Sequence, residues 1–191
     1  MLIIDDFLTR KYWVLKRKSN WCKRIPQDYE IFTIEDELNT LKKLKKLNVE
    51  FVPFITGYVF DMAFGKNDKY GYGGATQEQL KKAIMWLVNN KIRIGAHGYY
   101  HTEQELKDNY VPWAKKVYDT ISSFQKPPHL WRFPQQLEPC NNEDIEKLGF
   151  KIISKPDIYY DSKLSKDLNE LFKISKSCNV MVHSMHLNKY L

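Results

Sequence analysis

Short runs of β-branched and aromatic residues alternate with stretches of helical periodicity along the chain, the pattern produced when crossover helices cover a parallel sheet or barrel. The first run, Leu2-Ile3-Ile4, leads into the acidic pair Asp5-Asp6. From Thr33, capping-box spacing to Asp36 opens a helix with Leu38, Leu41, Leu44 and Leu47 on one side and lysines on the other. Residues 49–56 read as the second strand, closed by Gly57. Thr76 and Gln79 repeat the capping box, and Leu80, Ala83, Ile84, Leu87 and Val88 follow at the offsets of one helix face.

Residues 92–96 then predict a strand that delivers His97. Thr102 and Glu105 begin a helical stretch towards Phe124, which Pro112 either kinks or divides into two helices. Residues 129–133 are strand-like, 142–148 form a short helix stopped by Gly149, and 150–154 form another strand. A helix over 165–174 and a strand over 180–182, ending at His183, complete the series. The segment 60–74, with Tyr70-Gly71-Tyr72-Gly73-Gly74, reads as a long rim loop without the Gly-Lys-Ser/Thr ending of a phosphate-binding loop.

Six or seven strands in 191 residues fall short of the eight units, about 250 residues, of a full barrel. The pattern therefore favours an α/β fold as a shortened or incomplete barrel in one domain, residues 1–191, with an open doubly wound sheet as the alternative.

Composition narrows the class. With 43% hydrophobic and 28% charged residues and only 8 Gly and 8 Pro, the chain is neither collagenous nor disordered. Three scattered cysteines, Cys22, Cys140 and Cys178, provide neither a disulfide framework nor a Cys-rich zinc module, and read as buried or inert thiols of a reducing compartment. No apolar run approaches the roughly 20 residues of a membrane span, and acid follows the first apolar residues, so a cytoplasmic protein is expected. The net charge of +7 attracts polyanions without identifying a nucleic-acid binder.

The ionisable residues gather where the strands end. Asp5 and Asp6 close the first strand, His97 the third, Arg132 the fourth and His183 the last, which is where loops of parallel α/β folds converge on a cleft. His97-Gly98-Tyr99-Tyr100-His101 spaces two imidazoles four residues apart, so that a helical turn would direct both at one ion, and a nearby carboxylate would complete a two-His, one-carboxylate site. The alternative is a capping histidine and a hydrogen-bonded one. Neighbouring side chains on a strand alternate in direction, so Asp5 and Asp6 suit two roles, one ligating a metal and the other taking a proton from water. Capping of a helix N-terminus is the alternative for that pair.

The ordered set Asp5-Asp6, His97-x-x-x-His101, Arg132-Phe133-Pro134 and Val182-His183 resembles the polysaccharide deacetylase family, the NodB-homology carbohydrate esterases, as a divergent member over nearly the whole chain. The resemblance implies an irregular, shortened (β/α) barrel of about seven parallel strands and a hydrolase that removes an acetyl or other acyl group from an N-acylated carbohydrate. It implies one divalent metal ion, zinc first, with iron, cobalt or manganese as alternatives. Asp5 would be the general base, Asp6, His97 and His101 the metal ligands, Arg132 the residue orienting Asp5, and His183 the acid protonating the leaving amine. His186 is a competing candidate for the acid. Ile3-Ile4-Asp5-Asp6-Phe7 stands where the family usually has Thr-Phe-Asp-Asp-Gly, Gly98 stands in place of a serine or threonine, and Asp157 and Asp161 only loosely echo an Asp-x-x-Asp-Trp motif. A catalytically silent relative that binds a glycan or another polyanion is the alternative function.

Trp131 and Tyr72 are candidates for stacking on a sugar face, with burial in the core as the alternative for Trp131. His129, just after Pro127-Pro128, reads as a loop residue. Seven basic and no acidic residues lie between Arg10 and Arg24, interleaved with Tyr12, Trp13 and Trp21. Bordering the cleft, that stretch would favour an anionic glycan; otherwise it is a solvated loop. No membrane or nucleic-acid partner is expected, and the oligomeric state is left open.

Overall fold

A computed structural model of the chain describes residues 1–8, 33–65, 76–99, 110–134, 142–153, 156–159, 168–183 and 187. Among them, seven strands form one sheet: β1 (Leu2–Asp5), β2 (Phe51–Ile55), β3 (Gly95–Ala96), β4 (His129–Trp131), β5 (Phe150–Ile152), β6 (Ile158–Tyr159) and β7 (Val180–His183). The helices are α1 (Ile34–Lys46), α2 (Gly57–Phe64), α3 (Gln77–Asn89), α4 (Val111–Ser122), α5 (Glu143–Lys147) and α6 (Leu168–Ser175).

The strand order is β5-β4-β3-β2-β1-β7-β6, and every described pairing is parallel. Read as a circle, that order is the sequential order of a (β/α) barrel cut between β5 and β6, and it differs from the order of a doubly wound sheet, which reverses at its first strand. The fold is thus a shortened barrel of seven parallel strands, open at one seam among the described residues. No described helix is long and apolar enough to cross a membrane.

Both capping boxes form. Thr33 and Thr76 accept from the backbone N–H of Asp36 and Gln79, whose side chains in turn accept from the cap backbone. Pro112 lies in the first turn of α4, where its missing N–H costs nothing, so of the two sequence alternatives it begins a helix. Strand β3 is shorter than 92–96 because the Gln125 side chain takes the backbone positions a strand partner would fill, donating to Ile92 O (2.7 Å) and accepting from Ile94 N (3.1 Å).

Helix α2 replaces the first part of the loop expected over 60–74. Its sequence, Gly-Tyr-Val-Phe-Asp-Met-Ala-Phe, is apolar nearly all round, so no polar face marks a helical period. Strand β6, only two residues long and directly after Pro156-Asp157, is too short to register as a pattern. His129 is not in a loop: it opens β4, is buried, and pairs its Nε2 with Ser122 Oγ at 2.8 Å beneath the Tyr118 ring.

Alternation along the strands sorts the core into two parts. One face of the sheet packs against the helices through Leu2, Ile4, Ile55, Ala96, Trp131, Val180 and Val182. The other carries a small cluster drawn from strands alone, Ile3, Val52, Phe54, Leu130 and Met181, which plugs the barrel interior. Gly95 belongs to this inner face and leaves room for the Phe54 ring, because a Cβ there would lie 2.4 Å from the ring edge.

Gly95→Ala is therefore expected to destabilise the fold by about 1–3 kcal/mol through overpacking, read as a fall in Tm; an unchanged Tm would contradict the plug. Burial lowers the His129 pKa from its ordinary 6.5, so the unfolded chain takes up that proton first. The stability tied to the neutral ring is complete above that value and is lost as pH falls towards the lowered folded value. Thermal melts from pH 7 to pH 5 should show a shallower decline in His129→Gln than in the unaltered chain.

Candidate active site

The alternation that builds the apolar plug also builds the site above it. Two residues beyond the plug or its inner-face glycine stand polar groups on the same face: Asp5 after Ile3, Thr56 after Phe54, His97 after Gly95, Arg132 after Leu130 and His183 after Met181. Asp5 and His183 are direct partners across the β1–β7 ladder. Four of the residues read from the sequence thus share one layer at the carboxyl end of the barrel.

Asp5 and Arg132 are its closed side. Arg132 Nε donates to Asp5 Oδ2 at 2.7 Å, and both side chains are nearly sealed from solvent, at 2% and 3% exposure. Asp5 Oδ1 is buried and makes no hydrogen bond among the described residues. The ion pair joins residues 127 positions apart, so it also sets the spacing of β1 and β4 across the interior.

Asp6 lies on the open side. Had the strand continued, Asp6 would point away from Asp5. Instead it adopts a left-handed conformation, φ 60°, and Leu8 another, φ 62°. Left-handed backbone costs a residue with a Cβ about 1–2 kcal/mol, with aspartate among the tolerant types. The turn brings the Asp6 carboxylate between two imidazoles, Oδ1 3.7 Å from His97 Nε2 and Oδ2 3.7 Å from His183 Nε2. Exposure rises from His97 at 3% through Asp6 at 14% to His183 at 32%, so a substrate would arrive from the His183 side.

Asp6 and His97 are of the donor types that a divalent cation takes. His97 Nδ1 lies 3.1 Å from the Arg132 carbonyl, an acceptor only, which assigns the proton of a neutral ring to Nδ1 and turns the Nε2 lone pair towards Asp6. A lone pair and a carboxylate oxygen face each other favourably only with a proton or a cation between them, and a carbonyl on the far ring nitrogen is the usual support of a metal-ligating histidine. Among the described residues no three His, Cys, Asp or Glu side chains form a metal cage. The third expected ligand, His101, lies outside the described residues, as do Tyr72, His186, Cys22, Cys140, Asp161 and the basic stretch 10–24.

The segment after His97 is held on two sides. Gly98, at φ 66°, makes the turn, and the carbonyls of Gly98 and Tyr99 accept from Gly57 N (2.9 Å) and Tyr58 N (3.0 Å) at the start of α2. Buried Tyr99 stacks on Trp113, donates its hydroxyl to Asp61 on α2, and accepts from Lys116 Nζ on α4 at 2.9 Å. Gly57 permits that approach, since a Cβ there would meet Tyr99 Cδ2 at 2.5 Å. Glycine at position 98 in place of serine or threonine thus has a backbone reason.

Trp131 is 1% exposed and packs against Phe133 and Phe150, with ring centroids 5.9 and 5.0 Å away. Its ring therefore belongs to the core and has no face open to a sugar, a correction to its expected role. Asp157 accepts from Asn179 N at 2.6 Å at the mouth of β6, away from His183 in the hydrogen-bond pattern. Two contributors went unread in the sequence: Thr56, and Glu37, whose buried carboxylate accepts from Leu8 N at 3.0 Å. Glu37 stands three residues after Ile34 and four before Leu41, within the apolar face of α1, and a charge at such a position is the signal that would have found it.

No protein-family model matches the chain, and no curated protein sequence matches it. Among solved structures, its fold is similar to that of a wild-type CE4 family pseudoenzyme from Bacillus anthracis, with a TM-score of 0.51 and 12% sequence identity. The match covers 99% of this chain and 56% of that one, so this chain spans little more than half the length of its structural neighbour. CE4 is the polysaccharide deacetylase family, and at 12% identity the likeness is one of fold alone.

Arg132→Met leaves Asp5 as a buried charge without its cation and is expected to cost about 3–5 kcal/mol in denaturant unfolding. The Asp5→Asn, Arg132→Met double variant should lose clearly less than the sum of the two single changes. Additive losses would show that the pair does not act as a unit.

Proposed function

We propose that the chain is a metal-dependent hydrolase that removes an acetyl or other acyl group from an N-acylated carbohydrate. The observation that carries this reading is the division of labour within Asp5-Asp6: one carboxylate is sealed against Arg132, and its neighbour is turned to face His97 and His183. The carbohydrate comes from the sequence resemblance, with the CE4-like fold in support.

Asp6 and His97, with His101 as the further ligand, would hold the cation. A divalent ion there, zinc first, would supply Lewis acidity towards the acyl carbonyl and towards water. Asp5 takes a proton from the attacking water at Oδ1 while Oδ2 stays on Arg132, so the base keeps its orientation through the reaction. Arg132 Nε fixes the carboxylate rotamer and offsets its charge in a dry setting. His183, the most exposed member, gives a proton to the departing amine nitrogen, whose expulsion as an anion would otherwise be prohibitive. The plug of Ile3, Val52, Phe54, Leu130 and Met181 closes the barrel beneath these groups.

One observation favours a second reading, a catalytically silent relative that binds a glycan or polyanion in the same cleft: the structural neighbour is itself described as a pseudoenzyme.

The purified protein is expected to hold about one equivalent of divalent metal, lost in His97→Ala. It should release acetate from N-acetylated oligosaccharides, and Asp5→Asn should abolish turnover with the metal retained. Metal binding without acyl release from a panel of acylated sugars would overturn the hydrolase in favour of the silent relative. A protein that takes up no zinc, cobalt, iron or manganese would overturn the metal-dependent reading itself.

A further inference from the structure

We infer that Glu37 is a positioning residue for the acidic pair: its carboxylate, reaching in from α1, fixes the left-handed turn that aims Asp6 at His97 and His183. The inference rests on the proposed function only for the use to which the aimed carboxylate is put.

Residues 6–8 contain two left-handed positions, Asp6 and Leu8, and neither is glycine. Asp6 has a short polar side chain suited to that conformation; Leu8 has none and must be held from outside. Among the described residues, these contacts hold it. Phe7 and Leu8 bury their side chains in the core, Phe7 N donates to Phe54 O at 3.2 Å, and Leu8 N donates to Glu37 Oε2 at 3.0 Å. The first two are features that many ways of leaving β1 would keep. The Glu37 contact selects one, because a buried carboxylate accepts from the Leu8 amide only when that amide points away from the sheet towards α1.

Helix electrostatics do not account for Glu37. The first turn of α1 holds three acids, Glu35, Asp36 and Glu37, all suited to a helix N-terminus. Glu35 and Asp36 are exposed, as acids serving the helix dipole are, whereas Glu37 is buried. Burying a carboxylate is unfavourable unless a donor compensates it, and the Leu8 amide is such a donor. The turn and the buried charge thus meet in this hydrogen bond, and Asp6 is two residues from it.

Two conservative variants separate the hydrogen bond from the charge. Glu37→Gln keeps the acceptor in reach and removes the charge; Glu37→Asp keeps the charge and withdraws the acceptor by one methylene. Leu8 amide exchange, cobalt(II) affinity by calorimetry and the imidazole nitrogen resonances of His97 and His183 are compared at a temperature below every variant's Tm. Glu37→Gln should keep Leu8 protected and bind cobalt within about threefold of the unaltered chain. Glu37→Asp should lose that protection and bind cobalt about tenfold or more weakly, as changes behind a metal ligand do.

The reverse order, with Gln weak and Asp normal, would overturn the inference in favour of a long-range charge effect. So would a lowered Tm in both variants with cobalt affinity unchanged, the mark of a merely structural role. Should the unaltered protein bind no cobalt, the imidazole resonances decide on Glu37, and the proposed function fails only if zinc, iron and manganese are refused as well. A shift in Glu37→Asp but not in Glu37→Gln sustains positioning, and no shift in either overturns it.

Discussion

The buried pair of Asp5 and Arg132 is the constraint around which the carboxyl end of this barrel is organised. Neither charge is tolerable alone in an interior nearly sealed from solvent, so β1 and the end of β4 must approach until Nε and Oδ2 meet at 2.7 Å. With β1 and β4 so placed, the Arg132 carbonyl comes within 3.1 Å of His97 Nδ1 and selects which ring nitrogen faces the cleft. One ion pair thereby disciplines three of the side chains that line the candidate site. The pair stands on a plug of five apolar side chains supplied by strands alone, which leaves the polar layer a firm floor.

Above that floor the site is graded. Its Asp5 side is sealed, its Asp6 is slightly open, and His183 reaches the surface. Such a gradient suits acyl transfer, where the group that activates water benefits from a fixed and desolvated setting while the group that protonates the leaving atom must exchange its proton with solvent between turnovers. The same gradient would equally let a silent relative receive a polar ligand from the His183 side, which is why turnover, and not geometry, separates the two readings.

Much of this was legible in the chain because β-strands write their faces into sequence. Leu2-Ile3-Ile4 before Asp5, and Val180-Met181-Val182 before His183, mark buried parallel strands whose polar residue appears only on leaving the sheet. The two capping boxes located α1 and α3 nearly to the residue. What stayed hidden had physical causes. Helix α2 lacks a polar face, β6 is two residues long, and Gln125 imitates a strand partner for residues 92–94. Trp131 stands in the sequence as a candidate platform although core burial is the favoured account, since an aromatic ring at a strand end carries no label for the face it takes. The rule of alternation itself, applied to Asp5-Asp6, implied opposite directions; a left-handed residue, invisible in the letters, returned Asp6 to the cleft.

The ladder between β1 and β7 has a consequence for how the molecule comes into being. Leu2 pairs with Val180 and Asp5 with His183, so β1 waits for β7, made much later in the chain, before that one of its two edges is covered. During synthesis β1 can pair with β2, but its other side is a bare row of amides and carbonyls of the sort that recruits foreign strands. Closing so distant a contact is entropically slow. The layer shared by Asp5 and His183 cannot assemble until β7 has been made, and the chain should be most vulnerable to aggregation while β1 still awaits that partner.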